Sequence, residues 1–433
     1  MISMNVTRKQ RASHIGMALA LACGMTLSAA ALEAPAHAQK KKAKKDEAKA
    51  SYSEAFVKAY QPAAPLANAT PRDAAAMRAA VPSIVAAAST PDDKMAAGQF
   101  IYAAGSAAND PALQLQGLSM LLSSGKVPAA NLGQYNFAAG QLAYQAKDYA
   151  KAREFLQAAV QAGYTESDPT LLLADTYFQQ NDMAGGLTYI NQAIDRQIAA
   201  GQKPSSDLVR KGLATAYKAQ NKEQSLRFAN LFARHYPSAD SWGDAIVVTR
   251  SSTQLSDEQM LDLLRLQRKT KTFRDEREYL SYVEMADPRK LPVEVIQVIN
   301  EGYGSNLLTR GNTYASDALK EAKAREAAAQ ADMASLERDA NASGARLATV
   351  MAAGNVFLSA GQPAKAEQFF RKALTLPGVD TATASNRLGI AQLEQGKYSD
   401  AIATFNKVQG NGAAVSQLWA AYAEQRQGGA TGA

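Results

Sequence analysis

SNRLGIAQLEQGKYSDAIATFNKV, residues 385–408, decides the fold once it is laid beside MAAGNVFLSAGQPAKAEQFFRKAL, residues 351–374. At an offset of 35 residues Gly354 falls on Gly389, Ala366 on Ala401 and Phe370 on Phe405. Upstream, GQLAYQAKDYAKAREFLQAAV (140–160) recurs at an offset of 34: Gly140, Tyr149, Leu156 and Ala159 fall on Ala174, Met183, Ile190 and Ala193, and Ala152 falls on Gly186. A period of this length means one supersecondary unit used several times, each burying its apolar face against the next.

Within a unit the apolar residues are spaced by three and four, which is helical spacing. The composition agrees: it is rich in Ala, Gln and Leu, which favour helix, and 47% of residues are apolar, enough to fill a core. Starts of separate short helices are marked by Thr90-Pro91, Asp110-Pro111, Asp168-Pro169 and Asp287-Pro288, each a capping side chain before a proline. Leu255-Ser256-Asp257-Glu258-Gln259-Met260 adds a Ser/Gln capping box and a hydrophobic staple.

These residues resemble the tetratricopeptide repeat family. Arg387-Leu388-Gly389-Ile390-Ala391, Gly396-Lys397-Tyr398, Ala401 and Phe405 follow its pattern of Leu-Gly in the first helix, a Gly-x-Tyr turn and Ala-x-x-x-Phe in the second. Gly354, Phe357, Gly361, Ala366, Phe370, Ala373 and Leu374 match in the preceding unit, and residues 211–237 give a variant one residue short in the turn. The resemblance covers about residues 133–238 and 347–410. It implies an all-α fold of antiparallel helix pairs stacked in a right-handed superhelix, an α-solenoid. Small residues at the eighth and twentieth positions would let paired helices approach closely.

The intervening sequence stays helical but departs from the pattern. Residues 95–124 read as a degenerate pair with Gly98 and Tyr102 in its first helix, 257–308 as three helices, and 314–341 as one long charged helix. The expected organisation is a leader at 1–38, a Lys-rich linker at 39–52, an N-terminal repeat region at 53–250, a divergent region at 251–344, C-terminal repeats with a capping helix at 345–426, and a loose tail at 427–433.

The leader has Arg8, Lys9 and Arg11 before an apolar run, Ile15 to Leu32, and a small-x-small site at Ala36-His37-Ala38. Export to a periplasmic or secreted location, with the mature chain starting near Gln39, is expected. Cys23 in Ala20-Leu21-Ala22-Cys23-Gly24 offers lipidation as the alternative. Cleavage after Ala38 removes the single cysteine, and with it disulfides, Cys metal sites and Cys nucleophiles. Of the +7 net charge, the leader holds +2 and residues 39–50 hold +4, leaving about +1 on the body. The basicity is a tail, which argues against a nucleic-acid surface and allows weak contact with an anionic envelope polymer.

Catalytic signatures are absent or misplaced. Ser123-Ser124-Gly125-Lys126 lacks the companion elements of a Ser-x-x-Lys enzyme and reads as a turn, and Gly302-Tyr303-Gly304 follows helical sequence instead of a strand. His235 ends a repeat's second helix and has no Cys companions, so no metal site is expected. Asp275, Glu276 and Glu278 sit among Arg274 and Arg277 as a solvated helical face would. No catalytic residue and no cofactor is therefore expected.

What remains is a binding surface. The resemblance places Phe137, Gln141, Tyr144, Leu171, Asp175, Phe178, Lys211, Lys218, Met351, Asn355, Asn386 and Ile390 on a concave groove, with a protein or peptide as partner. The expected function is a non-enzymatic interaction scaffold in the cell envelope. The alternatives are a cell-wall glycan-associated enzyme or binding factor and a lipidated outer-membrane assembly subunit.

Overall fold

A computed structural model of the chain describes residues 50–431. The expected leader, Cys23 and the Lys run at 40–45 lie outside the described residues. Within them there are twenty-one α-helices and no strand, so the fold is all-α as the repeats imply. The chain divides into two compact units, one ending at Ala193 and the other beginning at Ile194. The boundaries expected at 250/251 and 344/345 fall inside the second unit.

The first unit holds α1 (Glu54–Tyr60), α2 (Ala64–Asn68), α3 (Ala74–Ala87), α4 (Pro91–Ala107), α5 (Pro111–Ser123), α6 (Ala129–Gln145), α7 (Tyr149–Gln161), α8 (Pro169–Gln179) and the start of α9 (Met183–Ala199). Helices α4 and α5 form the degenerate pair, and their crossing is set by missing side chains. A Cβ on Gly98 would stand 2.6 Å from the Leu121 backbone nitrogen. The caps are where the sequence puts them: Thr90 and Asp93 form a capping box, Asp110 accepts from Ala112 and Leu113, and Asp168 accepts from Thr170.

The second unit holds α10 (Ser206–Lys218), α11 (Lys222–His235), α12 (Ala239–Ser252), α13 (Asp257–Lys269), α14 (Glu276–Ala286), α15 (Pro292–Gly304), α16 (Thr313–Asn341), α17 (Leu347–Ser359), α18 (Pro363–Ala373), α19 (Thr381–Glu394), α20 (Tyr398–Phe405) and α21 (Ala413–Thr431). In α10–α11, α17–α18 and α19–α20 one glycine faces one phenylalanine. A Cβ at Gly212, Gly354 or Gly389 would lie 2.5 Å from the ring of Phe228, Phe370 or Phe405. The 35-residue register is therefore a packing register, in which an absent Cβ receives a ring edge. In α6–α7 Leu156 takes the ring's place over Gly140. In α8–α9 the arrangement inverts: Gly186 of the second helix receives Phe178 of the first.

Three local expectations change. Asp287 ends α14 instead of starting a helix: its φ is 56°, its carboxylate accepts from Arg289, and α15 begins at Pro292. The tail at 427–433 is helical through Thr431. Gln425 donates to the carbonyls of Ala233 and Arg234 at 2.8 and 3.2 Å, and Gln427 donates to Ser399 Oγ at 2.8 Å, which anchors α21 beyond its apolar part. The carboxylates at 275–278 are not a merely solvated face. Asp275 caps α14, Glu278 is buried and accepts from Arg274 N at 2.7 Å, and Glu276 accepts from Thr309 N and Asn312 Nδ2.

Candidate functional site

Helix α13 carries apolar residues on one face and charges at 262, 265, 268 and 269, and in the structure both faces meet protein. Leu261 and Leu264 join a core with Tyr282, Val295 and Val298. The charged face meets α15, α19 and α21. Asp262, fully buried, accepts from Arg265 Nη1 at 3.0 Å, Arg387 Nε at 3.2 Å and Asn386 Nδ2 at 2.9 Å, and its backbone carbonyl accepts from the Trp419 indole at 3.0 Å. Arg265 in turn grips Glu294 through two bonds of 2.8 and 2.7 Å, and Tyr282 donates to the same carboxylate at 2.5 Å. Burial would raise the Glu294 carboxyl, but Arg265, the Tyr282 hydroxyl and Arg268 together hold it below its ordinary value.

This network closes the second unit on itself. Helix α21 packs against α11, α12, α13, α19 and α20. Its Trp419 stacks on Phe405 with centroids 6.2 Å apart, Tyr422 meets Trp242 edge-on, and Glu424 pairs with Arg234 at 2.7 Å. The terminal helix thus caps the last repeat and also returns to helices about 190 residues earlier in sequence.

Beside the closure lies an open cleft of about 860 Å³. One wall is the end of α13 and the following turn (Arg268, Lys269, Lys271, Phe273) together with Glu294 and Glu301 of α15; the other is the end of α17 with Ile390 and Glu394 of α19. Tyr279, Leu307, Leu358 and Trp419 supply apolar lining. Arg268 holds Glu301 through Nε at 2.8 Å and Nη2 at 2.5 Å, and Lys269 reaches both oxygens of Glu394 at 2.8 and 2.9 Å. Lys271, exposed in the turn after α13, makes no ion pair among the described residues.

The groove residues expected from the repeats are distributed differently. Tyr144 is half-buried, its hydroxyl donating to Asp175 and its ring meeting Tyr149 edge-on at 5.6 Å; burial and then Asp175 push its phenol up. Gln141 and Leu171 are also half-buried nearby in sequence, and Lys218 is exposed. Phe137 is buried, stacked on Tyr164 at 5.0 Å, and Phe178 packs on Gly186 between paired helices. Lys211 is half-buried, and Met351 packs on the α17–α18 core. Asn355 accepts from Arg387 Nη1 at 3.0 Å. Asn386 and Ile390 are each 3% exposed, and Asn386 is engaged by Asp262, to which it donates, and by Ser416, whose hydroxyl donates to it at 2.8 Å. On α19 the chain's own α13 and α21 stand where a ligand was expected; of the predicted set only Ile390 lines the cleft.

Sequence reading missed Arg268, Lys269, Lys271, Glu301 and Glu394. The charges of α13 recur at three- and four-residue spacing, a signal that a solvated helix face gives equally. His235, at the end of α11, is held below its ordinary value by burial and by the Arg234 and Lys203 charges. Among the described residues no group of His, Cys, Asp and Glu could hold a metal ion, and no helix is long and apolar enough to cross a membrane.

Comparison with known proteins gives one family match: residues 351–415 match the family described as tetratricopeptide repeat. No curated protein matches the sequence. Solved structures with similar helical arrangements include Naa15/Naa10 bound to HypK-THB (12% identity, TM-score 0.32, 82% of this chain and 66% of that one). The pentatricopeptide repeat protein PPR10 from maize shows 14% identity and a TM-score of 0.26, covering 85% of this chain and 56% of that one. The TPR domain of P58(IPK) shows 12% identity and a TM-score of 0.19, covering 87% and 99%. This chain thus spans about two thirds of the first of these and about half of the second. At such low similarity the repeat identity rests on the sequence match and on the glycine-to-ring packing. Residues 351–415 carry tetratricopeptide repeats, and α17 to α19, which bound one wall of the cleft, lie largely within that stretch.

Proposed function

We propose that the chain is an exported, non-enzymatic scaffold whose cleft beside α13 engages a segment of a protein partner, with Gln141, Tyr144 and Asp175 as a second contact surface. Tetratricopeptide repeats serve protein interaction, which supports the general reading. The observation that carries the placement is the cleft itself: open, about 860 Å³, and lined by aromatic and aliphatic side chains between charges that, Lys271 apart, are already paired. Such walls suit side-chain docking. Glu294, whose carboxyl Arg265 and its neighbours hold below its ordinary value, is a poor proton donor there.

Crosslinking pull-down of the protein from envelope extract tests this. Ser359→Trp, which adds bulk to the cleft wall, is expected to reduce partner recovery, and Tyr144→Ala to reduce it less. Undiminished recovery with both variants would remove the reading. The leader supports export and the Lys run supports weak contact with anionic polymer. Intact mass of the purified mature chain checks the first, cleavage after Ala38 being expected and a diacylglyceryl adduct on Cys23 indicating an anchored form instead. Deleting residues 40–45 is expected to release the protein from envelope fractions at low salt.

A further inference from the structure

The charges lining the cleft do not balance in their capacity to bind. Each of its three carboxylates is paired with a cation of the chain: both oxygens of Glu294 accept from Arg265, both of Glu301 from Arg268, and both of Glu394 from Lys269. A cationic ligand would meet carboxylates whose charge an arginine or lysine of the chain already offsets. Of the four cations on the walls, Arg265, Arg268 and Lys269 are engaged in those pairs, while Lys271 is exposed and without an ion-pair partner among the described residues. Its position is fixed by the turn: Lys271 N donates to the Arg268 carbonyl at 3.1 Å, Thr272 N to the Gln267 carbonyl at 3.1 Å, and the hydroxyls of Thr270 and Thr272 lie 3.0 Å apart. Two residues on, Phe273 lines the same cleft, 4.5 Å centroid to centroid from Tyr279.

We infer that the cleft selects an acidic amphipathic peptide segment, one that sets apolar side chains against Phe273, Tyr279, Leu307 and Leu358 and a carboxylate against Lys271. This rests on the cleft being the partner site. One uncompensated cation is too little for nucleic acid, whose backbone binding grows with the number of phosphates neutralised. It is enough to rank peptides by charge, because a partly exposed ion pair contributes up to a few-fold in affinity and is screened by salt.

The test uses the full mature chain and three fluorescein-labelled peptides with the same Leu and Phe positions and with Glu, Gln or Lys between them. Fluorescence anisotropy at low salt is expected to rank Glu above Gln above Lys, with about fivefold between the extremes, shrinking in high salt. Lys271→Glu is expected to invert the order, whereas Lys58→Glu, an equal charge change in the first unit, leaves it unchanged. Equal binding of the three peptides, or an order that Lys271→Glu does not alter, overturns the acidic preference. If Ser359→Trp still abolishes peptide binding in that case, the cleft stands as the site and only its selectivity is wrong. If no peptide binds, or binding survives Ser359→Trp, both readings fall.

Discussion

One absent Cβ sets how closely the two helices of a repeat approach. At Gly389 the space is filled by the Phe405 ring, so adding a methyl forces the ring or the backbone to move. Gly389→Ala is expected to lower stability by about 1–3 kcal/mol through overpacking, and Gly389→Ala with Phe405→Leu to recover part of that loss, as read from urea midpoints. Additive losses would show that the two residues do not share the space. Asp262 presents the opposite hazard, because removing it leaves the Arg265 and Arg387 guanidinium groups buried with one carboxylate fewer. Asp262→Ala is expected to cost about 3–5 kcal/mol, the usual penalty for breaking a buried pair from one side. An exposed pair such as Arg325–Glu321 should cost well under 1 kcal/mol when broken.

Single elements are held by acid groups whose proton affinity the fold has altered. Asp93, buried at the start of α4, ties the chain before α1 to that helix: it accepts from Ser53 N at 3.0 Å and from the Ser53 hydroxyl at 2.8 Å, and also from Thr90 N. Burial alone would raise its carboxyl, but these bonds bring it from 3.8 down to about 2. Glu367 in α18 is likewise brought from 4.5 to about 2, with burial opposing and Lys397, Arg371 and Gln395 prevailing. Because both values are depressed on folding, their stabilisation is complete above the unfolded values and lost as pH falls toward 2. Each is expected to contribute on the order of 2 kcal/mol at neutral pH. The stability gap between wild type and Asp93→Asn should therefore be full at pH 6 and close near pH 2; a gap independent of pH would assign the latch to something other than the charge. Helix α21 depends instead on one ring. Trp419→Ala is expected to cost about 3–5 kcal/mol, since the indole is fully buried against Phe405 and Tyr422.

Across the whole molecule, the two units have cores of their own, one built on residues such as Met77, Ile84 and Phe100 and the other on residues such as Tyr282, Phe357 and Phe370. Loosening α21 should then register only where α21 packs. In hydrogen exchange, Trp419→Ala is expected to speed exchange in α11, α13 and α19 and to leave the helices of residues 54–179 as they were. Equal acceleration in both units would mean that they unfold together.

Residue spacing determined the helices, their caps and the partnering of neighbours. Those depend on contacts at three or four residues and again at 34 or 35, and a contact at fixed separation leaves a period in the sequence. Gly354 and Gly389, Phe370 and Phe405 were legible for that reason. So were the three helices at 257–308 and the long helix at 313–341. Asp287 was misread because a capping residue before proline serves a helix end as readily as a start. The closure and the cleft left no such trace. Asp262 meets Asn386 and Arg387 more than 120 residues away, and Gln425 meets Ala233 at a distance of 192. Such pairings follow from the path of the whole helical stack and from no local rule. Only the tertiary structure therefore decided that α19 turns its expected ligand face inward, onto the chain's own carboxylate, and that the open cleft is left beside it.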